Sequence, residues 1–266
     1  MTEKVDIVIS GITGKMGSLV YQEIRKSYND RLNVKFGVCS KQGVNENSLK
    51  LYTVDTADFT DITGIIDFSK PEVLLNLIKK LRDSKTRKFI VSGTTGLSKE
   101  QLSEIYNIIK NEDSKISLLH SPNFSILVNM QIYLSKLVAQ KLSKYNYDFG
   151  LVEEHHVMKK DSPSGTAKKI ITNVMESKNL TKVNYWSEEL RTKNKDEFDV
   201  AVLRLGGTIG LHELRIVGQH GRMTIETLMY NRTEFAIGAI ESLLWLIKNG
   251  KEREIHSFEE VIGINE

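Results

Sequence analysis

The first half of the chain alternates short apolar runs with helical patterns, and this alternation limits the possible folds more than any other feature. Five runs rich in β-branched residues are predicted to be strands, at 5–10, 33–38, 64–68, 88–92 and 116–120. Because these runs are nearly continuously apolar, both faces of their sheet should be covered, which is typical of parallel strands. Strand–helix alternation of this kind predicts an α/β fold with a Rossmann-like doubly wound parallel sheet.

Two helices in this half begin with recognisable signals. Residues 69–72, Ser-Lys-Pro-Glu, are interpreted as a capping box with a proline in the first turn. Ser98 and Gln101 form a second Ser-x-x-Gln box, and the apolar residues that follow have helical spacing.

The second half of the chain has a different pattern. A helical run over 126–143 leads to a strand near 148–155 and to a second helix over 166–178, whereas the polar stretch 180–199 is predicted to be a loop. The remaining predicted elements are strands at 199–205, 211–218 and 222–230, a tight turn at 218–221 and a helix over 234–248.

The strand at 222–230 indicates how this second sheet is covered. Its apolar residues Met223, Ile225 and Met229 alternate with polar ones, as in an antiparallel strand with one covered face. We therefore expect a second α+β domain with an open mixed or antiparallel sheet. The predicted domains are residues 1–125 plus 235–266, and residues 126–234.

Composition excludes several classes of protein. The formal net charge is only +3 and the lysines are scattered among acids, so no nucleic-acid partner is expected. The single cysteine, Cys39, rules out an intrachain disulfide and a cysteine-rich metal site. The run at 236–247 is too short to span a bilayer and is interrupted by Glu241. With an N-terminus unlike a secretory signal, these features predict a cytoplasmic protein without membrane contact.

A glycine motif directly follows the first predicted strand and opens an apolar-periodic helix. It reads Gly11, Ile12, Thr13, Gly14, Lys15, Met16, Gly17. Glycines at this position let the backbone approach a pyrophosphate, whose charge the free N–H groups of a helix N-terminus stabilise. A P-loop is excluded because Met16 stands where serine or threonine is required. The alternative is a tight glycine turn that binds nothing.

The end of the second strand bears on the choice of nucleotide. An NAD site usually places an acid there for the ribose 2′-hydroxyl, but this chain has Ser40 and Lys41. A hydroxyl and an ammonium suit a 2′-phosphate better, which predicts a preference for NADPH over NADH. Lys41 could equally be a solvated loop residue.

Two further motifs follow later strands of the same predicted sheet. They comprise Gly93, Thr94, Thr95 and Gly96 after the fourth strand, and Ser121, Pro122, Asn123 and Phe124 after the fifth. Both lie at carboxyl ends of strands, where open α/β sheets bind ligands. The Gly-Thr-Thr backbone could meet a carboxamide and Phe124 could face a ring, although each motif alone could be a turn with a helix cap.

The stretch 153–170 concentrates cationic and donor groups. His155 and His156 end a strand, Lys159 follows in a loop, and Ser164, Gly165 and Thr166 begin a helix, whose N-terminus favours a carboxylate. Histidine and a partly buried lysine can both transfer protons. This pattern predicts a site for a small dianionic substrate; the alternative is a charged surface loop. No zinc site is expected, because this stretch lacks further ligands at fitting spacing. His120, His212 and His220 could in principle come together with these residues, but nothing in the spacing suggests it.

Taken together, these motifs resemble the 4-hydroxy-tetrahydrodipicolinate reductase family, also called dihydrodipicolinate reductases. The matching segments are GITGKMG, DFSKPE, SGTTGLS, SPNFSILVN, EEHHVMKKDSPSGTA and the C-terminal GLHELRIVGQHGRMTIETLMY. The resemblance implies hydride transfer from NADPH or NADH to a cyclic dicarboxylate in the diaminopimelate route to lysine. It also implies a homotetramer assembled through the second-domain sheet.

The same resemblance assigns roles to individual residues. His155 matches the family's proton donor and acceptor, and Lys159 matches its proton donor. His156, Gly165 and Thr166 match contacts to the substrate carboxylates. The dinucleotide contacts match Gly11 to Met16, Gly93 to Thr95, and Ser121 to Phe124.

Some positions depart from the family's pattern. Lys15 stands where arginine is common, and Thr13 where glycine is frequent. Leu211 precedes His212 where glutamate is commoner, so no role is carried to that position. Two other functions stay open at this point: a dinucleotide-binding sensor without activity, and a reductase acting on a semialdehyde.

Overall fold

The computed structural model of the protein describes residues 4–45, 47–185 and 192–264. The chain divides into two compact units: unit 1 comprises Met1–Ser125 with Arg232–Glu266, and unit 2 comprises Ile126–Asn231. The nucleotide-binding and substrate-binding roles expected of the two domains remain predictions.

The strands are β1 Val5–Ser10, β2 Leu32–Val38, β3 Gly43–Val44, β4 Lys50–Tyr52, β5 Gly64–Asp67, β6 Lys88–Ser92, β7 Ile116–His120, β8 Asp148–His155, β9 Lys182–Asn184, β10 Glu197–Arg204, β11 Gly210–Val217, β12 Arg222–Met229 and β13 Ile255–His256. The helices are α1 Lys15–Ser27, α2 Pro71–Leu81, α3 Lys99–Lys110, α4 Ile126–Lys141, α5 Gly165–Lys178, α6 Thr233–Asn249 and α7 Phe258–Val261.

Unit 1 is built on a sheet with the strand order β13-β7-β6-β5-β1-β2-β4-β3. Its described strand pairs are parallel, except for the antiparallel pair of β3 with β4. The sheet grows from β1 through β2 on one side and through β5 on the other, so the point where strand order reverses lies beside β1. Open α/β sheets bind ligands at this point, outside the carboxyl ends of the strands. The predicted Rossmann-like sheet is confirmed.

The core of unit 1 follows from the apolar runs. Ile7, Val8 and Ile9 are fully buried, as are Ile65 and Ile66 of the neighbouring strand. Both faces of the sheet are therefore covered, as continuous apolar strands require. Helix α6 packs against α1, β5 and β6, so the C-terminal part of the chain completes this unit.

The two helix starts expected in unit 1 have different outcomes. Ser98 caps α3 in a capping box with Gln101, as predicted. For α2 the predicted capping box is wrong: the N-cap is Lys70, without a side-chain cap, while Pro71 occupies the first turn as expected. The helix begins one residue later than the box requires, at Pro71, so Ser69 precedes the N-cap, and its hydroxyl donates to the Asp67 carboxylate at 2.5 Å.

Unit 2 is built on a mixed sheet with the strand order β12-β11-β8-β10-β9. Strand β8 lies at its centre, antiparallel to β11 and parallel to β10. Helix α5 packs against β8 and α4 against β12, and the two helices pack against each other. The inward residues of β8 and β11 are buried in alternation, whereas the other face exposes apolar side chains such as Leu203, Val217 and Leu228. The predicted open mixed sheet is confirmed.

The stretch 180–199 is only partly a loop. Strand β9 pairs in parallel with the beginning of β10, and Phe198 is fully buried. The prediction failed because β9 is three residues long, too short for a visible period, and takes its stability from the pairing. Residues 186–191 of this stretch lie outside the described part of the chain.

No helix in the described ranges is both long enough and apolar enough to cross a membrane.

Candidate active site

The glycine motif forms a tight turn between β1 and α1. Gly11 has φ +75°, and a Cβ there would lie 2.3 Å from the Phe68 carbonyl oxygen, so only glycine fits. A Cβ at Gly17 would lie 2.2 Å from the Gly11 carbonyl oxygen, which keeps α1 close to the turn. The N-cap of α1, Gly14, has no side chain to occupy the first-turn N–H groups. The turn thus offers a helix N-terminus to an anion at the point where strand order reverses.

The other residues of this motif differ in exposure. Ile12 is buried and Met16 is half-buried, whereas Thr13 and Lys15 are exposed. Lys41, beyond the end of β2, is also exposed. Its carbonyl accepts a hydrogen bond from the Cys39 thiol at 2.9 Å.

The Gly93–Thr95 turn is held by a buried carboxylate that sequence reasoning did not assign to the site. Asp67 is fully buried and accepts hydrogen bonds from Ser92 Oγ at 2.8 Å and Thr94 Oγ1 at 2.7 Å. The Thr94 carbonyl lies 2.9 Å from His120 Nε2. The ends of β5, β6 and β7 are therefore joined in one hydrogen-bonded network, with Thr95 exposed beside it.

The Ser121–Phe124 segment turns tightly after β7. Ser121 Oγ donates to the Asn123 carbonyl at 2.8 Å and accepts the Asn123 N–H at 3.3 Å, while Pro122 is exposed. The Phe124 ring is buried and packs edge-on against Phe68 and Phe258. The suggestion that this ring faces a ligand does not fit its burial, so any ligand contact from Phe124 would come from its backbone.

In unit 2, the buried face of β8 and β11 brings together three ionisable side chains. Glu153 and His155 lie two residues apart on β8, and His212 pairs with Glu153 across the β8–β11 ladder. Glu153 Oε1 lies 3.6 Å from His155 Nδ1, and Glu153 Oε2 lies 3.6 Å from His212 Nε2. The two imidazole rings meet edge-on with centroids 5.2 Å apart. The structure thus brings His212 to His155, which nothing in the sequence spacing suggested, because the two residues lie on strands that are distant along the chain.

Arg204 connects this cluster to the loop that carries Lys159. Its Nη1 lies 3.2 Å from Glu153 Oε1, and its Nη2 donates to the Asp161 carbonyl at 2.6 Å. Lys159, with 21% of its side chain exposed, forms an ion pair with Asp161 at 2.9 Å. His156 lies just beyond β8, half-buried, and its N–H donates to the Thr208 carbonyl at 2.7 Å.

The N-terminus of α5 lies beside the same cluster. Ser164 caps the helix by accepting the Ala167 N–H at 3.1 Å, and its own N–H donates to Glu153 Oε2 at 2.9 Å. The next residues, Gly165 and Thr166, are exposed and half-buried, and a Cβ at Gly165 would meet nothing within 4 Å. The first turn of α5 is therefore accessible to a carboxylate, the ligand that a helix N-terminus favours.

Burial and hydrogen bonding control the charges in this cluster. Burial by itself would raise the pKa of Glu153, but its interactions with His155, His212 and Ser164 outweigh that effect and hold the pKa well below its ordinary value. For His212, burial lowers the pKa, and the nearby His155 lowers it further against the opposing effect of Glu153. The cluster therefore combines an ionised carboxylate with a neutral His212.

The spacing of these three side chains would also allow them to hold a metal ion. However, the Arg204 guanidinium already pairs with Glu153, and its positive charge opposes a divalent cation at the same carboxylate. The hydrogen bond of Ser164 further occupies the second carboxylate oxygen.

Family models match the two units in turn. The model described as dihydrodipicolinate reductase, N-terminus, matches residues 5–124, and the one described as dihydrodipicolinate reductase, C-terminus, matches residues 128–262. The chain belongs to the dihydrodipicolinate reductase family. It is therefore an NAD(P)H-dependent oxidoreductase of the diaminopimelate pathway of lysine biosynthesis.

Individual relatives agree with this membership. The chain is 31% identical over 260 residues to 4-hydroxy-tetrahydrodipicolinate reductase of Rickettsia rickettsii (strain Sheila Smith), covering 98% of this chain and 100% of that protein. It is 32% identical to the enzyme of the same name from Buchnera aphidicola subsp. Cinara cedri, covering 94% and 95%. The dipicolinate-bound dihydrodipicolinate reductase from Paenisporosarcina sp. TG-14 shares the fold, with a TM-score of 0.77, 20% identity and coverage of 97% and 99%.

Sequence reasoning missed Glu153, Arg204 and His212 as residues of this site. A signal for two of them was present: Leu151, Glu153 and His155 share one face of β8 by two-residue periodicity, as His212 and Leu214 do on β11. Arg204 had no such signal, because it ends β10 and reaches Glu153 only through the pairing of β10 with β8.

Proposed function

We propose that unit 2 binds the two carboxylates of 4-hydroxy-tetrahydrodipicolinate and that His155 and Lys159 move protons on it. The observation that carries this proposal is that a buried histidine, a partly buried lysine and an accessible helix N-terminus lie around one cluster. A dicarboxylate needs two positive recognition points. The first turn of α5, with Gly165 and Thr166, would hold one carboxylate, and His156 with Lys159 would hold the other.

Proton transfer is assigned to His155, a member of the cluster, and to Lys159 on the adjacent loop. His155 ends β8 with its ring beside Glu153, and Lys159 lies on the loop that Arg204 holds. Either group, in its protonated form, can protonate the substrate ring after hydride addition. A general acid does this when it lies within hydrogen-bond reach of the atom that it protonates.

Unit 1 is proposed to bind the dinucleotide. The Gly11–Met16 turn would hold the pyrophosphate, and the backbones of Gly93–Thr95 and Ser121–Phe124 would contact the nicotinamide end. The cradle fits such a group, because a Cβ at Gly11 would collide with Phe68 and the N-cap of α1 is open. When bound, NAD(P)H supplies the hydride. We propose NADPH as the preferred form, since Lys41 is an exposed cation beyond β2.

The open face of the unit 2 sheet supports a homotetramer. Leu203, Val217 and Leu228 are each exposed on that sheet, and exposed apolar patches commonly mark protein interfaces. Light scattering during size-exclusion chromatography tests this, and a monomer at assay concentration would contradict it. A cytoplasmic location and the absence of nucleic-acid partners remain part of the proposal.

The deciding experiment is an assay of NADPH oxidation with freshly prepared product of the preceding synthase. We expect oxidation that requires this product and that pyridine-2,6-dicarboxylate inhibits competitively. Tight NADPH binding without oxidation would instead support a nucleotide sensor. Oxidation with a semialdehyde but not with the cyclic dicarboxylate would overturn the proposed substrate.

A further inference from the structure

We propose that Glu153 is a positioning residue: it orients His155 so that Nε2 transfers the proton, and with Arg204 it holds the Lys159 loop in place. This inference rests on the proposed function, because it acts through the two residues assigned to proton transfer. It adds a residue to which the family resemblance gave no role.

The first step of the argument is the choice of tautomer. His155 Nδ1 is buried, and among the described residues nothing lies within hydrogen-bond distance of it. A carboxylate oxygen, Glu153 Oε1, lies 3.6 Å from this nitrogen. Hydrogen bonds of catalytic groups are often long without substrate and tighten when it binds. The Glu153 carboxylate is therefore in place to accept a hydrogen bond from a proton on Nδ1. When the protonated ring, the imidazolium, gives up its Nε2 proton, it keeps the proton on Nδ1 and becomes the neutral Nδ1–H form.

The second step concerns space at Nε2. A Cβ at Gly210, on the neighbouring strand β11, would lie 3.1 Å from His155 Nε2, closer than ordinary contacts. The absence of a side chain at residue 210 therefore leaves room beside the nitrogen that must meet the substrate. The two nitrogens of His155 therefore have different surroundings. Nδ1 faces the Glu153 carboxylate, which would orient the ring, and Nε2 faces Gly210, where there is room for proton transfer.

The third step is the reach of Glu153 beyond His155. Oε1 lies 3.2 Å from Arg204 Nη1, and Arg204 Nη2 binds the carbonyl of Asp161, the residue whose carboxylate pairs with Lys159. Oε2 accepts the N–H of Ser164 at the start of α5. One fully buried carboxylate thus joins the histidine, the lysine loop and the proposed carboxylate-binding turn.

Glu153→Gln is the direct test, because it preserves volume and an acceptor for Ser164 but removes the charge. We expect kcat to fall on the order of 100-fold, with a smaller change in KM for the dicarboxylate and an unchanged NADPH affinity. The matched control is Glu176→Gln, an exposed carboxylate on α5 of the same unit, for which kcat should not change.

A readout that a merely structural role would not move is the tautomer of His155. Long-range proton–nitrogen spectra of protein labelled with ¹⁵N-histidine, assigned with His155→Gln, report which nitrogen carries the proton. We expect the Nδ1–H form in the neutral ring of the wild type and a mixture or the Nε2–H form in Glu153→Gln. An Nε2–H wild-type ring would overturn the proposal, and this measurement does not depend on the variant's folding.

The outcomes separate this inference from the proposed function. The tautomer measurement needs no substrate, so it tests Glu153 even if the dicarboxylate is not turned over. Turnover by the wild type together with wild-type kcat in a folded Glu153→Gln would leave the proposed function standing and remove the role of Glu153.

Discussion

Ser164 Oγ lies 3.0 Å from His212 Nε2 and at the same time accepts the Ala167 N–H at 3.1 Å. One hydroxyl therefore both caps α5 and contacts a buried histidine of β11. We expect Ser164→Ala to lower the free energy of unfolding of unit 2 by about 1 kcal/mol or more, the usual loss for an N-cap. Hydrogen exchange in the first turn of α5 measures the effect. Ser98→Ala removes the cap of α3. It should leave hydrogen exchange in α5 unchanged and speed up exchange in the first turn of α3.

Replacing either proposed proton-transfer group should affect turnover selectively. His155→Gln and Lys159→Ala should each lower kcat by roughly 100-fold or more, the scale of a general-acid contribution. NADPH affinity, measured by fluorescence titration, should not change, because both residues belong to unit 2. Wild-type turnover in both variants would show that these roles are misassigned.

The choice of nucleotide should depend on charge at residue 41. Lys41→Glu places an anion where a 2′-phosphate is proposed to lie, so kcat/KM for NADPH should fall while kcat/KM for NADH stays the same or rises. Steady-state rates with each nucleotide give the ratio of kcat/KM for NADPH to kcat/KM for NADH. The exposed Lys15 provides a comparison. Lys15→Glu should weaken the binding of NADPH and NADH to a similar extent, because both nucleotides contain the pyrophosphate. A wild type that clearly prefers NADH would contradict the assignment of Lys41.

The stability of unit 2 should depend on pH through His212. Its folded pKa is lowered, first by burial, so the unfolded chain takes up a proton more readily. The stability contributed by neutral His212 is therefore present above the unfolded pKa of about 6.5 and is lost as the pH falls below it. Denaturant unfolding of the wild type and of His212→Gln, monitored by hydrogen exchange in β8, measures the free energy of unfolding at several pH values. This free energy should depend less steeply on pH in the variant. Equal slopes would assign the effect to another group.

Lys88 is predicted to stabilise unit 1 without any role in binding. It is 1% exposed, and its Nζ donates to the carbonyls of Phe59 at 2.7 Å, Thr60 at 3.0 Å and Ile62 at 2.5 Å. Lys88→Met leaves these carbonyls without their donor, which should cost about 3 kcal/mol of unfolding free energy. The exposed Lys85→Met should cost much less in the same denaturant titration.

The fold of unit 1 could be predicted well because its signals are local. Runs such as Ile7 to Ile9 are apolar on both faces, and the turn from Gly11 to Gly17 has no room for side chains at either end. The exact start of α2 was not predicted. Ser69 matches a helix cap by sequence, yet the helix begins one residue later, with Lys70 as its N-cap.

The candidate site in unit 2 was predictable only in part. His155, His156, Lys159 and the start of α5 lie in one continuous stretch with an unusual concentration of donors. Glu153 is in that stretch too, but its importance depends on Arg204 and His212, which the chain delivers on other strands.

The sequence by itself determined the alternation of strands and helices, the glycine turn and the clustering of donors in residues 153–170, because hydrophobic periodicity and backbone sterics act over a few residues. Only the tertiary structure decided that His212 lies across from Glu153 and that Arg204 neutralises that carboxylate. The physical reason is strand register: the pairing of β8 with β10 and β11 sets which distant side chains share a buried face. Burial and hydrogen bonding together then determine which of them stay charged.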